Sequence, residues 1–128
     1  MERELKHKHL LIRAEVQNPP KNEEETISWM RKLIKTIDMN ILAGPYSSQV
    51  SKKGNKGLSG VAIIDTSHIS IHTWDEQEPA LIQLDVYSCK EFKKSDVIDC
   101  LDDFNPVTVE YKYFDRETNF IQIQNILL

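Results

Sequence analysis

Ten consecutive residues stand out for the density of side chains equipped for chemistry: Asp65-Thr66-Ser67-His68-Ile69-Ser70-Ile71-His72-Thr73-Trp74. Read as a strand, strict alternation sets Ile69, Ile71 and Thr73 on one face and His68, Ser70, His72 and Trp74 on the other. The isoleucine face is what a core requires. The opposite face carries two imidazoles, a hydroxyl and an indole, groups that are costly to bury without partners. Histidines in strands are often structural, so the pattern alone leaves a catalytic and a structural role both open. A second segment, Gln83-Leu84-Asp85-Val86-Tyr87-Ser88-Cys89, separates Leu84, Val86 and Ser88 from Asp85, Tyr87 and Cys89 in the same way. If the two strands pair, Cys89 can lie across from the histidine face, and a thiol beside an imidazole is a candidate nucleophile or proton donor. The competing reading is a buried, inert cysteine, and Cys100, inside a predicted helix, is read that way.

The elements that must position these residues follow from periodicity. A first strand is predicted over 9–16, and Asn18-Pro19-Pro20-Lys21-Asn22 ends it, because proline fits neither a strand interior nor a helix interior. A helix is predicted from Glu23 to Ile37: Ile27, Met30, Leu33, Ile34 and Ile37 recur at helical spacing, and Glu23, Glu24 and Glu25 load the first turn. Residues 40–50 read as a short strand interrupted by Gly44-Pro45, followed by the polar loop Ser51-Lys52-Lys53-Gly54-Asn55-Lys56-Gly57. Strands are predicted at Val61–Asp65, His68–Trp74 and Ala80–Cys89, a helix at Ser95–Phe104 with Val97, Ile98 and Leu101 as its buried stripe, and strands at Val107–Phe114 and Phe120–Ile126. Hairpin strands with helices returning over one face give an α+β fold, a two-layer α/β sandwich with a mostly antiparallel sheet, as a single domain over 1–128.

Composition narrows the function. The chain has 128 residues and a formal net charge of −4. That balance argues against a nucleic-acid partner, which needs a basic footprint. No apolar run approaches the roughly 20 residues of a membrane span, and the start Met1-Glu2-Arg3-Glu4-Leu5-Lys6 lacks the apolar centre of a secretory leader. Cys89 and Cys100 are too few for a disulfide framework, so a reducing cytoplasm is the expected location. With no CxxC pair and no HExxH, no metal site is expected.

The run Ser67-His68-Ile69-Ser70-Ile71-His72-Thr73-Trp74, then Glu76, then Asp85-Val86-Tyr87-Ser88-Cys89, resembles the signature of the short prokaryotic S-adenosylmethionine decarboxylases, a pyruvoyl-dependent proenzyme family. Gly57-Leu58-Ser59-Gly60-Val61 is similar to that family's segment before the cleavage site, and His9-Leu10 to its first strand. The resemblance implies a chain that cuts the Thr66–Ser67 bond by an N-to-O acyl shift and β-elimination, turning Ser67 into a pyruvoyl group. That ketone serves as the electron sink for loss of carbon dioxide from S-adenosylmethionine, on the route to spermidine, so no pyridoxal phosphate and no metal are expected. By the same resemblance Ser59 and His72 assist processing, Cys89 returns a proton to the substrate carbon, and Trp74 and Glu76 contact the small-molecule substrate. A homodimer with sites near the subunit interface is also implied.

Two departures from the family pattern bear on substrate and processing. Thr66 stands where the family usually has Glu before the cleaved serine, which removes a carboxylate from the site. In the loop before Ser59, where the family tends to place an aromatic residue, this chain has Lys52-Lys53-Gly54-Asn55-Lys56-Gly57, most simply a flexible, solvated turn. The alternatives are therefore the same pyruvoyl chemistry on arginine or ornithine, and a non-processing paralogue that acts as a binding or regulatory partner.

Overall fold

The computed structural model describes residues 5–127; residues 1–4 and 128 lie outside the described residues. The chain opens with β1 (Lys8–Val16) and continues through α1 (Glu23–Thr36), β2 (Ile41–Val50), β3 (Gly57–Ile64), β4 (Ser67–Trp74) and β5 (Ala80–Ser88). It closes with α2 (Lys94–Cys100), a 3-10 turn over Leu101–Phe104, β6 (Pro106–Asp115) and β7 (Ile121–Leu127). All strands join one sheet in the order β2-β3-β4-β5-β1-β6-β7, and every neighbouring pair is antiparallel. Thus β1, made first, lies between β5 and β6, made late.

Alternation decides which face is which. Leu10, Ile12, Ala14 and Val16 of β1, Ile69 and Ile71 of β4, and Ile82, Leu84 and Val86 of β5 are all buried in one cluster with Trp29, Met30, Leu33 and Ile34 of α1. Each fully buried Leu or Ile contributes roughly 1.5–3 kcal/mol relative to exposure. The helices cover this face, as expected for the two-layer sandwich. The other face carries His68, Ser70, His72 and Trp74 and is free of helices.

Start and stop signals explain α1. The Asn22 side-chain oxygen accepts from the Glu25 amide at 2.8 Å, and Glu25 in turn accepts from the Lys21 amide at 3.1 Å. Together they satisfy orphan donors of the first turn, a cap worth about 1 kcal/mol. The buried stripe includes Trp29 and Thr26, which the periodicity argument passed over, while Ile27 is only half-buried. The Trp29 indole N–H donates to the Cys100 carbonyl at 3.0 Å, which explains how so large a polar ring can be buried and ties α1 to the end of α2.

Three departures from the sequence expectation go beyond a one-residue shift of a boundary. The helix predicted to Phe104 breaks at Leu101 into a 3-10 turn that ends at Asn105, whose left-handed φ of 53° reverses the chain. β3 begins at Gly57 rather than Val61, because only a glycine fits there: a Cβ on Gly57 would lie 1.7 Å from the Thr73 carbonyl oxygen. β2 runs through Gly44-Pro45 as one strand, absorbing them as bulges in its pairing with β3. Among the described residues, no helix is long and apolar enough to cross a membrane.

Candidate active site

Ser67 opens β4 immediately after the two-residue turn Asp65-Thr66, and its backbone φ is +148°. An L-residue other than glycine rarely adopts that angle, which costs on the order of 1–3 kcal/mol and persists only where the surroundings over-determine it. The surroundings here are specific. Ser67 is held in the ladders opposite Ile64 of β3 and Ser88 of β5. The Thr66 carbonyl accepts the Cys89 backbone N–H at 2.7 Å, and the Thr66 hydroxyl donates to the Met39 sulfur at 3.1 Å. Asp65, which closes the turn, accepts from the Asn40 side-chain and backbone N–H groups at 2.9 and 3.3 Å. Those donors hold its carboxyl below the usual carboxylate range.

The geometry suits an attack on the Thr66 carbonyl. Negative charge arriving on that oxygen would meet a preorganised N–H donor, the arrangement that stabilises tetrahedral oxyanions. Cys89 itself is half-buried and directly follows β5, which ends at Ser88 and not at Cys89 as the alternation predicts. Its backbone N–H is thus held against the Thr66 carbonyl. Cys100, by contrast, is buried under α1, and burial pushes its thiol up.

The other end of β4 assembles a second group. Ser59 and His72 are directly opposed in the β3–β4 ladder, with Ser59 Oγ and His72 Nδ1 3.0 Å apart. The His72 and Trp74 rings sit 5.9 Å apart at an interplanar angle of 31°. The Trp74 indole donates to Asn55 Oδ1 at 2.8 Å, and Glu76 Oε1 accepts the Lys56 amide at 3.1 Å. The lysine loop read as a free, solvated turn is therefore exposed yet fastened at two points to the residues implied for substrate contact.

These two groups do not meet within one chain. Five residues separate Ser67 from His72, about 16 Å along a strand at about 3.3 Å per residue. An odd separation also puts them on opposite faces. His72 stands opposite Gln83, at the far end of the strand from Cys89. The imidazole at the Cys89 end is His68, opposite Tyr87.

A third cluster escaped the sequence reading. On the open face His9 Nε2 lies 2.6 Å from Asp85 Oδ1, His68 Nε2 lies 3.8 Å from the same oxygen, and Arg116 Nη1 lies 3.1 Å from His9 Nδ1. His9, His68 and Asp85 offer ligand atoms within 4.8 Å of one another, the set nearest to a metal centre among the described residues. Its chemistry speaks against that use. Arginine only donates, so His9 must accept at Nδ1 and carry its proton at Nε2, leaving no lone pair there for a cation. The signal available in the sequence was the matching alternation of His9 and Asp85; Arg116 is brought in only by tertiary structure.

Comparisons with known proteins bear on the family and the fold. The family model described as S-adenosylmethionine decarboxylase matches residues 9–117. A S-adenosylmethionine decarboxylase proenzyme of Clostridium botulinum (strain Hall) is 37% identical over 70 residues, 55% of this chain and 55% of the relative. One from Hydrogenobaculum sp. is 39% identical over 64 residues, 47% of this chain and 45% of the relative. The aligned part of this chain thus spans about half the length of the curated relatives it matches. The crystal structure of the adenosylmethionine decarboxylase from Aquifex aeolicus superposes with a TM-score of 0.70 over 95% of this chain and 98% of that one, at 22% identity, which shows the shared fold. With a family match running from the first strand past the sixth, the chain belongs to the S-adenosylmethionine decarboxylase family.

Proposed function

We propose that this protein is a self-processing, pyruvoyl-dependent decarboxylase acting on S-adenosylmethionine. The observation that carries the reading is Ser67 in a strained backbone, with the carbonyl before it aligned on the Cys89 amide. Ser67 Oγ attacks the Thr66 carbonyl carbon, the Thr66–Ser67 amide bond breaks, and an ester takes its place. Relief of the unfavourable φ helps drive the shift, and the Cys89 N–H holds the charge on the carbonyl oxygen. Removal of the Ser67 Cα proton then expels residues 1–66 as a carboxylate, and hydrolysis of the remaining enamine releases ammonia. The ketone left on residue 67 supplies an electron sink for carbon dioxide loss.

His72 is the base for the Cα proton and Ser59 its partner, and neither reaches its own Ser67. A second copy of the chain brings its Ser59–His72 pair to the first copy's Ser67, so the working unit is a homodimer with shared sites. Trp74 and Glu76, on the same end as His72, contact the substrate from that second copy. Cys89, beside Ser67, returns a proton to the substrate carbon after decarboxylation.

Denaturing electrophoresis with mass measurement tests the reading. Two fragments, 1–66 and 67–128, the second beginning with a keto-acyl group, are expected. Release of labelled carbon dioxide should follow with S-adenosylmethionine and not with arginine or ornithine. A single intact chain after prolonged incubation would reject the enzyme reading, and turnover of arginine or ornithine alone would reassign the substrate.

A further inference from the structure

The residue after the strained Ser67 points to the open face. His68 stands 3.8 Å from Asp85 Oδ1, with its ring 5.6 Å from Tyr87 and 6.4 Å from His9. Asp85 is in turn bonded to His9 at 2.6 Å, and His9 to Arg116 at 3.1 Å. Arg116 is itself fixed from three directions. Its guanidinium lies 4.6 Å from the Tyr87 ring centre and 5.1 Å from that of Phe120, and its amide donates to the His7 carbonyl at 2.8 Å. His7 closes the circuit, its Nδ1 3.0 Å from the Tyr87 hydroxyl.

We infer that Arg116 is a positioning residue for the scissile end of β4, acting through the chain Arg116–His9–Asp85–His68; the inference rests on the reading of Ser67 as the cleaved residue. An arginine has no acceptor atom, so its contact with His9 Nδ1 permits one neutral tautomer, with the proton at Nε2. That proton points at Asp85 and holds the carboxylate where it meets His68. Fixing the His68 side chain restrains the backbone of the residue before it, and Ser67 keeps an angle it would otherwise leave. Without the guanidinium, His9 is free to carry its proton on either nitrogen, and the Nδ1–H form turns a bare nitrogen toward the carboxylate. Asp85 then swings away from His68. Arg116 touches no reacting atom in this scheme; it sets the orientation of others.

Two measurements on the full chain test this. In the Ser67→Ala variant, uncleaved under the proposed mechanism, isotope-edited nitrogen–proton spectra read each histidine tautomer. His9 should carry its proton at Nε2, and adding Arg116→Gln should give mixed tautomers at His9 while leaving His72, remote at the other end of β4, unchanged. In the chain with Ser67 present, Arg116→Gln should slow the appearance of the 67–128 fragment between about 10-fold and 100-fold, the scale of small misplacements at a reacting centre. Arg116→Lys, which retains a charged donor, should recover most of that loss. A proton at His9 Nδ1, a tautomer indifferent to Arg116→Gln, or an unaltered cleavage rate overturns the inference. If the Ser67 chain never cleaves at all, the decarboxylase reading falls instead, and the spectra alone then decide whether Arg116 holds His9.

Discussion

The two ends of β4 are built for different work. At the Ser67 end the backbone is the functional part: an unfavourable φ, a carbonyl gripped by the Cys89 amide, and ladder partners on both sides. At the His72 end the backbone is ordinary strand, and side chains do the work: the Ser59–His72 pair, the Trp74 ring and the Glu76 carboxylate, all facing away from the core or into the turn beyond. One strand thus presents a reactive peptide and, about 16 Å away on the other face, the groups to act on a peptide. A strand cannot fold back on itself to unite them. Two copies can.

The largest expected effect tests that division directly. Ser67→Ala and His72→Ala should each abolish cleavage and turnover when expressed alone. Co-expressed, they should regain activity, because a mixed two-fold dimer contains one site with both groups intact; random pairing gives about a quarter of the natural activity. No recovery in verified mixed dimers would mean that each chain completes its own site and would dissolve the contrast drawn above. Next comes Cys89→Ala. Because the oxyanion donor is the backbone N–H, fragment formation should proceed at close to the natural rate while turnover falls by about 100-fold or more, the usual scale for losing a proton-transfer group. Equal loss of both would move the thiol into maturation.

Smaller effects sharpen the structural side. Gly57 sits opposite Trp74 with a φ of +157°, and a Cβ there would meet the Thr73 carbonyl oxygen at 1.7 Å. Gly57→Ala should therefore lower stability by about 1–3 kcal/mol in denaturant titrations and disturb the His72 end first, visible as a change in Trp74 fluorescence. At the other end, Asp65 is held below its ordinary carboxylate range by Asn40. A group depressed in the folded state contributes stability that is present above its unfolded value, about 3.9, and is lost as pH falls through the folded one. The Ser67→Ala chain should accordingly weaken as the medium is taken below about pH 4, and Asp65→Asn should flatten that part of the acid limb in unfolding midpoints. An unchanged acid limb would show that the turn draws nothing from this carboxylate.

Much of this was legible before any coordinates. Alternation alone assigned every face of β4 and β5 correctly, because in a half-buried strand the side-chain period is fixed at two and the core tolerates no slip. Family motifs then placed Ser59, Ser67, His72 and Cys89 in the candidate site. What alternation also contained, and was not drawn from it, is that residues 67 and 72 differ by an odd number and so cannot share a face. The break at Leu101 was not readable, since Val97 and Leu101 continue the apolar stripe across it and only Asn105 marks the reversal. The Arg116 network was out of reach for a different reason: it joins groups up to 107 positions apart, and nothing local distinguishes an arginine under a tyrosine ring from one in water.

The position of β1 between β5 and β6 has a consequence for the protein after scission. Cutting at 66–67 yields one piece holding the first three strands and another holding the last four. The first piece does not lie beside the second; its leading strand is threaded through it, hydrogen-bonded along both edges, while β3 grips β4 at a further seam. Under the proposed function the mature molecule is two polypeptides woven into a single sheet, inseparable without unfolding it, and the loss of a covalent link at the centre leaves the fabric whole.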